Sequence, residues 1–151
     1  MNADHLLHRF SRHRERISTL LLLAGNLYLF FVLSWAWHEI TYDDALISLR
    51  YSRMLAEGHG LVWNPGERVE GYSNFSWVVL MALIRRMGGD IVVWTKIVGM
   101  LANLGTLLLL FSITTRKGYD PFAAAALAML AFFPPFVIWG VTGLETAFYT
   151  F

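Results

Sequence analysis

The residues Ile17–Trp37, ISTLLLLAGNLYLFFVLSWAW, run for 21 positions without a charge. At about 1.5 Å per residue this is the length an α-helix needs to cross the roughly 30 Å hydrocarbon core of a bilayer. Two further stretches share the property. Ile97–Ile113 is uncharged and lengthens to 96–115 if Lys96 and Arg116 carry their charges to the interfaces. Phe122–Leu144 is also uncharged and contains Pro134-Pro135, which predicts a kinked or interrupted span over 122–140. Only 15% of the residues are charged, where a soluble domain carries about 25%. The expected fold is therefore all-α, an integral membrane helical bundle with the lipid bilayer as its surroundings.

Charge placement orients the bundle. Residues 1–16, MNADHLLHRFSRHRER, form a basic tail that the positive-inside rule keeps cytoplasmic, ahead of a first span over 17–38. Cleavage as a signal peptide fits poorly, because the apolar run is too long and bulky Trp stands where small residues are needed. Arg116-Lys117 place a short loop, 116–121, on the same inner side. Residues 39–95 then lie outside, which holds only if FSWVVLMALI at 75–84 does not cross. As a helix it would be about 15 Å long, half the hydrocarbon thickness. It reads instead as an interfacial amphipathic helix over about 75–88, with Trp77 at headgroup depth and Gly88-Gly89 ending it. The third span returns to the outer face at 141–151, in WGVTGLET. There Glu145 begins another apolar run that stops at Phe151, which suggests a truncated or fragmentary reading frame.

The outer segment 41–77 concentrates the chemistry. Thr41 and Asp44 match a helix-start pattern, with Asp43 and Asp44 favourable in the positive first turn of a helix over about 43–57. Ile47, Tyr51, Met54 and Leu55 fall on one helical face, and Gly58 or Gly60 would stop the helix. Asp43 and Arg50, seven residues apart, project from nearly the same side. A cap requires one carboxylate, whereas two adjacent ones repel; such a pair is expected where a proton or cation is handled. Pro65-Gly66 suits a type II turn. Trp63 and Tyr72 offer flat faces for a sugar ring or a polyprenyl chain, or anchor the loop at the interface. Glu67 and Glu70 flank Arg68, so a surface ion pair accounts for Glu67.

Several function classes drop out. The chain has no cysteine, excluding thiol catalysis and Cys-type zinc sites. A net charge of +1 gives no polycation for nucleic acid. No phosphate-binding glycine loop is present. His5, His8 and His13 read as part of a solvated, lipid-facing tail. His38, Glu39 and His59 could join Asp43 and Asp44 around a divalent cation, although no tight ligand spacing enforces it.

The run DDALISLRYSRMLAEGHGLVWNPGERVEGYSN, followed two spans later by GLET on the outer face, resembles the N-terminal portion of bacterial membrane glycosyltransferases of the GT-C superfamily, the arabinofuranosyltransferase-like members above all. The resemblance implies a bundle of many transmembrane helices in the inner membrane, with two juxtamembrane helices in the first outer loop. It implies an inverting transfer of a sugar from a polyprenyl-phosphate donor to a glycan, lipid or protein acceptor. Asp43 would be the base and Asp44 would orient it or bind the acceptor. Arg50 or Arg53 would neutralise the departing phosphate. Glu70, Tyr72 and Asn74, with His59 beside them, would line the substrate site, and Glu145 would approach from the other side. Members of the family have many more spans, so this portion is expected to be inactive alone. The competing expectations are a small non-catalytic accessory membrane protein, or a transporter fragment using polar groups such as Asn26 and Asn103 within its spans.

Overall fold

The computed structural model of the protein describes residues 3–116 and 120–151; Lys117–Tyr119, the middle of the expected inner loop, lie outside them. Among the described residues the chain is all-helical. Its elements are α1 (Ala3–Trp37), α2 (Asp43–Ala56), α3 (Phe75–Arg86), α4 (Ile91–Thr114), α5 (Pro121–Phe132), α6 (Pro134–Val141) and α7 (Thr146–Thr150). Two helical stretches are long and apolar enough to cross a membrane, His13–Trp37 within α1 and the whole of α4. The pair α5–α6 makes a third if counted as one bent span.

α1 is one helix from Ala3 to Trp37, so the basic stretch and the first apolar run share a single helix. The basic stretch contains no glycine or proline, and its Leu, Arg and Glu residues are good helix formers. α4 begins five residues before the expected position 96. Asp90 is the reason: its Oδ1 accepts from the backbone N–H of Val92 at 2.9 Å and of Val93 at 3.3 Å, satisfying donors that a helix start otherwise leaves unpaired. The expected third span is broken at Phe133, where α5 and α6 meet at a bend of 49°. Pro134 and Pro135 supply no N–H to the preceding turn, so the helix cannot run straight through.

α2 and α3 each end in a Schellman motif. Gly58, at φ +88°, bonds its N–H to the Leu55 carbonyl while His59 N–H reaches Met54 O at 3.0 Å. Gly88, also at φ +88°, and Gly89 repeat this with Arg85 and Ile84. Gly58, not Gly60, is thus the stop of α2.

Two apolar clusters hold the helices together. One joins α2, α3 and α4 through Leu49, Trp77, Met81, Ile84 and Ile91, with Phe148 packed against it. The other joins α1, α4, α5 and α6 through Phe30, Leu107, Ala131 and Val137. Trp77 is fully buried in the first, its ring 5.4 Å from that of Phe148, so it packs against protein rather than facing outward. Between α4 and α6 the backbones nearly touch. A Cβ added at Gly99 would lie 2.3 Å from Gly140 O, and one at Gly140 would lie 2.1 Å from Asn103 Nδ2. Asn103, fully buried, donates to the Phe136 carbonyl and ties α4 to the first turn of α6. Its amide is satisfied by packing the bent span, as polar groups between membrane helices commonly are.

Candidate functional site

Three parts of the chain converge on the start of α2. The first is the end of α1, where Ile40 N–H bonds back to Trp37 O and closes a tight corner. The second is α4, whose Lys96 Nζ donates to His38 O at 2.6 Å and Ile40 O at 3.0 Å. The ammonium thus turns toward the carbonyls at the end of α1, where a cation also complements the helix dipole. The third is the loop after α6, where Thr142 O accepts from Tyr42 N–H at 3.2 Å. Gly143, at φ +93°, lies against this corner; a Cβ there would stand 3.2 Å from Ala45 Cβ and 3.3 Å from Thr95 Oγ1. Only glycine holds that backbone conformation cheaply while staying so close.

The helix-start pattern expected at Thr41 gives way to this arrangement. Tyr42 is the N-cap, with extended backbone; it has no short side-chain oxygen to cap the first turn, and its own N–H bonds the Thr142 carbonyl. Asp43 and Asp44 occupy the first turn, both exposed, and no hydrogen bond or ion pair engages their carboxylates among the described residues. Glu145 is the N-cap residue of α7, half-buried, two positions beyond Gly143. The structure therefore brings the Asp43-Asp44 turn and the Gly143–Glu145 loop to one corner, across about a hundred residues of sequence.

The remaining expected site residues line the rest of α2 and its covering loop. Arg50 does not turn to Asp43. Its Nε donates to Trp63 O and its Nη2 to Asn64 Oδ1, both at 3.0 Å. Asn64 Nδ2 in turn donates to Glu67 Oε2 at 2.8 Å, and Glu67 N–H closes the Asn64-Pro65-Gly66-Glu67 turn, with Gly66 at φ +86°. Glu67 is accounted for by this turn, not by a pair with Arg68. Arg50 keeps the other three of its five N–H donors. Tyr51 is buried and bonds Val69 O at 2.7 Å, with the Tyr72 ring 4.8 Å and the Trp63 ring 5.8 Å from its own. Asn74 is buried rather than lining an open site; its Nδ2 donates to Ser48 Oγ at 2.8 Å and pins the end of the loop to α2. Glu70 is exposed.

Arg53 pairs with Glu57 one turn on, at 2.7 Å. The Arg53 hydrogen bond holds the Glu57 carboxyl below its usual range, and Glu57 raises the Arg53 guanidinium. A carboxyl lowered in the folded state stabilises above its unfolded pKa, and that contribution is lost as pH falls through the folded value. The expected result is faster amide exchange in the last turn of α2 below about pH 4, a step that Glu57→Gln abolishes. The effect is local and small, because both groups are exposed.

His59 stands past the far end of α2, about 20 Å along the helix from Asp43. His38 lies back along α1, its ring stacked on Trp35 at 4.4 Å with Nδ1 on the Trp35 carbonyl. Among the described residues no group of three or more His, Cys, Asp or Glu side chains is placed to hold a metal ion. The five residues considered for a divalent cation are therefore not gathered.

Lys96 was assigned only to the membrane boundary by sequence, yet it fixes the corner that presents Asp43. Lys96→Met is expected to remove two charge-assisted bonds, each typically worth about 1.5–3 kcal/mol. Amide exchange over residues 38–45 should accelerate at least tenfold, while α5 and α6 keep their protection. Unchanged exchange at 38–45 would show that the corner holds without it.

A comparison with known proteins finds a relative by sequence. The chain is 33% identical over 143 residues to the terminal beta-(1->2)-arabinofuranosyltransferase of Mycobacterium tuberculosis (strain ATCC 25618 / H37Rv), a match covering 87% of this chain and 22% of that protein. The chain spans about a fifth of the length of this relative. The similarity supports a distant relationship between the two. No family model matches the chain, and no solved structure matches it.

Proposed function

We propose that this chain forms the acceptor-activating part of a membrane glycosyltransferase of the GT-C type, one that moves a pentofuranosyl unit from a polyprenyl-phosphate donor to a glycan, lipid or protein acceptor. The observation that carries this reading is the convergence at the start of α2. Two exposed carboxylates stand on a corner fixed by Lys96 and by the Thr142 carbonyl, with Glu145 on the adjoining loop.

Asp43 takes the proton of the acceptor hydroxyl as that oxygen attacks the anomeric carbon. The lipid phosphate leaves from the opposite face in a single displacement. Asp44 orients Asp43 or holds the acceptor. Arg50 stands seven residues along the same helix, about 10 Å from Asp43 by helical rise. That separation suits a sugar lying between base and leaving phosphate, with the three free N–H groups of Arg50 meeting the phosphate. Tyr72 and Trp63 offer ring faces beside it, with Glu70 at the edge. The N-terminus of α1 lies in the cytoplasm, the α2–α3 segment faces outward from a bacterial inner membrane, and α1, α4 and α5–α6 cross it. The aligned relative's printed name motivates the pentofuranosyl choice.

The test is transfer from a polyprenyl-phosphate arabinofuranose to an arabinofuranosyl acceptor. This chain stands in the membrane in place of the aligned segment of the mycobacterial relative, with Asp43 intact or changed to Asn. Transfer that depends on Asp43 and inverts the donor's anomeric configuration supports the proposal. A product that retains that configuration contradicts the single displacement.

A further inference from the structure

α3 is apolar on both sides. One side enters the core through Trp77, Val78, Met81 and Ile84. The opposite side carries Phe75, Val79, Leu83 and Met87 at four-residue steps, and Phe75, Leu83 and Met87 are 57%, 52% and 79% exposed. A helix of 12 residues is too short to cross a bilayer, so this stripe has no place inside the hydrocarbon as a span. It has no favourable place in water either.

The stripe continues into a groove of about 360 Å³ between α3 and the end of α2, lined by Leu55, Gly58, Val79, Ala82, Leu83 and Arg86. The wall at Gly58 carries no side chain, and a Cβ there would meet open space. Arg86 closes the rim. Its Nε donates to Ala56 O at 3.3 Å, leaving four N–H donors for another acceptor. Arg85, exposed, stands beside it. An apolar groove with the Arg86 guanidinium on its rim, and Arg85 next to it in the chain, suits an apolar chain joined to a phosphate.

We propose that the α2–α3 groove is a binding site for an anionic phospholipid, with its acyl chain along Val79 and Leu83 and its headgroup phosphate on Arg86 and Arg85. The lipid seats α3 flat on the membrane surface, with Phe75, Leu83 and Met87 in the acyl–headgroup boundary. This goes beyond the glycosyl-transfer reading and does not depend on it.

The test uses the full chain in bilayer nanodiscs of phosphatidylcholine with phosphatidylglycerol, and two readouts. Spin labels on Leu83→Cys and Met87→Cys are expected to be relaxed by oxygen and shielded from a water-soluble nickel chelate. Relaxation by nickel would put the face in water, and shielding from both would mean that protein covers it; each overturns the proposal. Native mass spectrometry of protein extracted from the discs is expected to find phosphatidylglycerol retained over phosphatidylcholine. Arg85→Gln/Arg86→Gln should lower that retention roughly tenfold, and the Arg85→Lys/Arg86→Lys pair should keep most of it. Equal retention of the two lipids, no loss in the glutamine variant, or displacement of the lipid by excess inorganic phosphate would overturn it.

Discussion

Gly140→Leu is expected to push α4 and α6 apart and to lower the unfolding midpoint in detergent by several degrees or more. Even a methyl group at this position would lie 2.1 Å from Asn103 Nδ2, and the matching methyl at Gly99 would lie 2.3 Å from the Gly140 carbonyl oxygen. Backbone oxygen cannot swing aside as a flexible side chain can, so one helix must shift. Two terms compete. Removing a helical glycine gains up to about 1 kcal/mol of helix propensity. Overpacking costs typically 1–3 kcal/mol and occasionally more, and here it also breaks the Asn103–Phe136 bond that secures the bent span. The clash should win at both glycines, already for Gly99→Ala. Gly25, in α1, is the control, since a Cβ there would meet nothing within 4 Å. Gly25→Ala should leave the midpoint unchanged or raise it. Equal behaviour of Gly25→Ala and Gly99→Ala would mean that α4 and α6 do not approach as described. The corner at α2 depends on the same contact, because Thr142 and Gly143 follow α6 directly.

The second large effect concerns Asp43. If it abstracts the acceptor proton, Asp43→Asn removes a general base while keeping shape and helix start, and a loss of about 10²–10⁴-fold in transfer is expected. Asp44→Asn should cost less, since an orienting or acceptor-binding group is not the base. The two also differ in kind. Loss of the base lowers turnover with little change in apparent acceptor affinity, whereas loss of an acceptor contact raises the acceptor KM. Asp43→Glu restores the carboxylate one methylene farther out and should recover part of the activity. Both asparagine variants keep the backbone bond from Tyr42 to Thr142, so neither is expected to unfold the corner.

How much of this was legible in the sequence depends on the range of each interaction. The long apolar runs, the stop at Gly58 and the Pro65-Gly66 turn are set within a few residues, by length, positive φ and fixed φ. Periodicity found only part of the inner face of α2, where Tyr51 and Met54 are buried. Ile47 is among its exposed residues, while Ser48 and Ser52 are buried, Ser48 meeting Asn74 and Ser52 bonding the Ser48 carbonyl. Polar residues that bond each other inside an interface are invisible to a search for apolar spacing. Asn74 was assigned to the substrate site by resemblance, and Arg50 was set on the side of Asp43 by helical spacing, which cannot register a loop that folds back over the helix. Trp77 was expected at headgroup depth because a short apolar helix with tryptophan commonly lies there; its ring is instead buried in the core, and the side of α3 left exposed carries Phe75, Leu83 and Met87. Lys96, Thr142 and Gly143 meet residues about 45 to 100 positions away, and a single sequence carries no signal for such pairs. The close approach of Gly99 and Gly140 left a trace, in that Gly99, Ala102 and Asn103 put small and polar residues on one face of an otherwise bulky helix.

The most direct test of the central claim is the rate of arabinofuranosyl transfer by Asp43→Asn against the unchanged chain, in the membrane and in place of the aligned segment of the mycobacterial relative. Asp44→Asn and Asp43→Glu would be measured alongside. A fall of about a hundredfold or more for Asp43→Asn, a smaller one for Asp44→Asn and partial recovery in Asp43→Glu is the predicted result. Near-normal transfer by Asp43→Asn would contradict it, and would leave the corner at α2 as a structural joint rather than the seat of the chemistry.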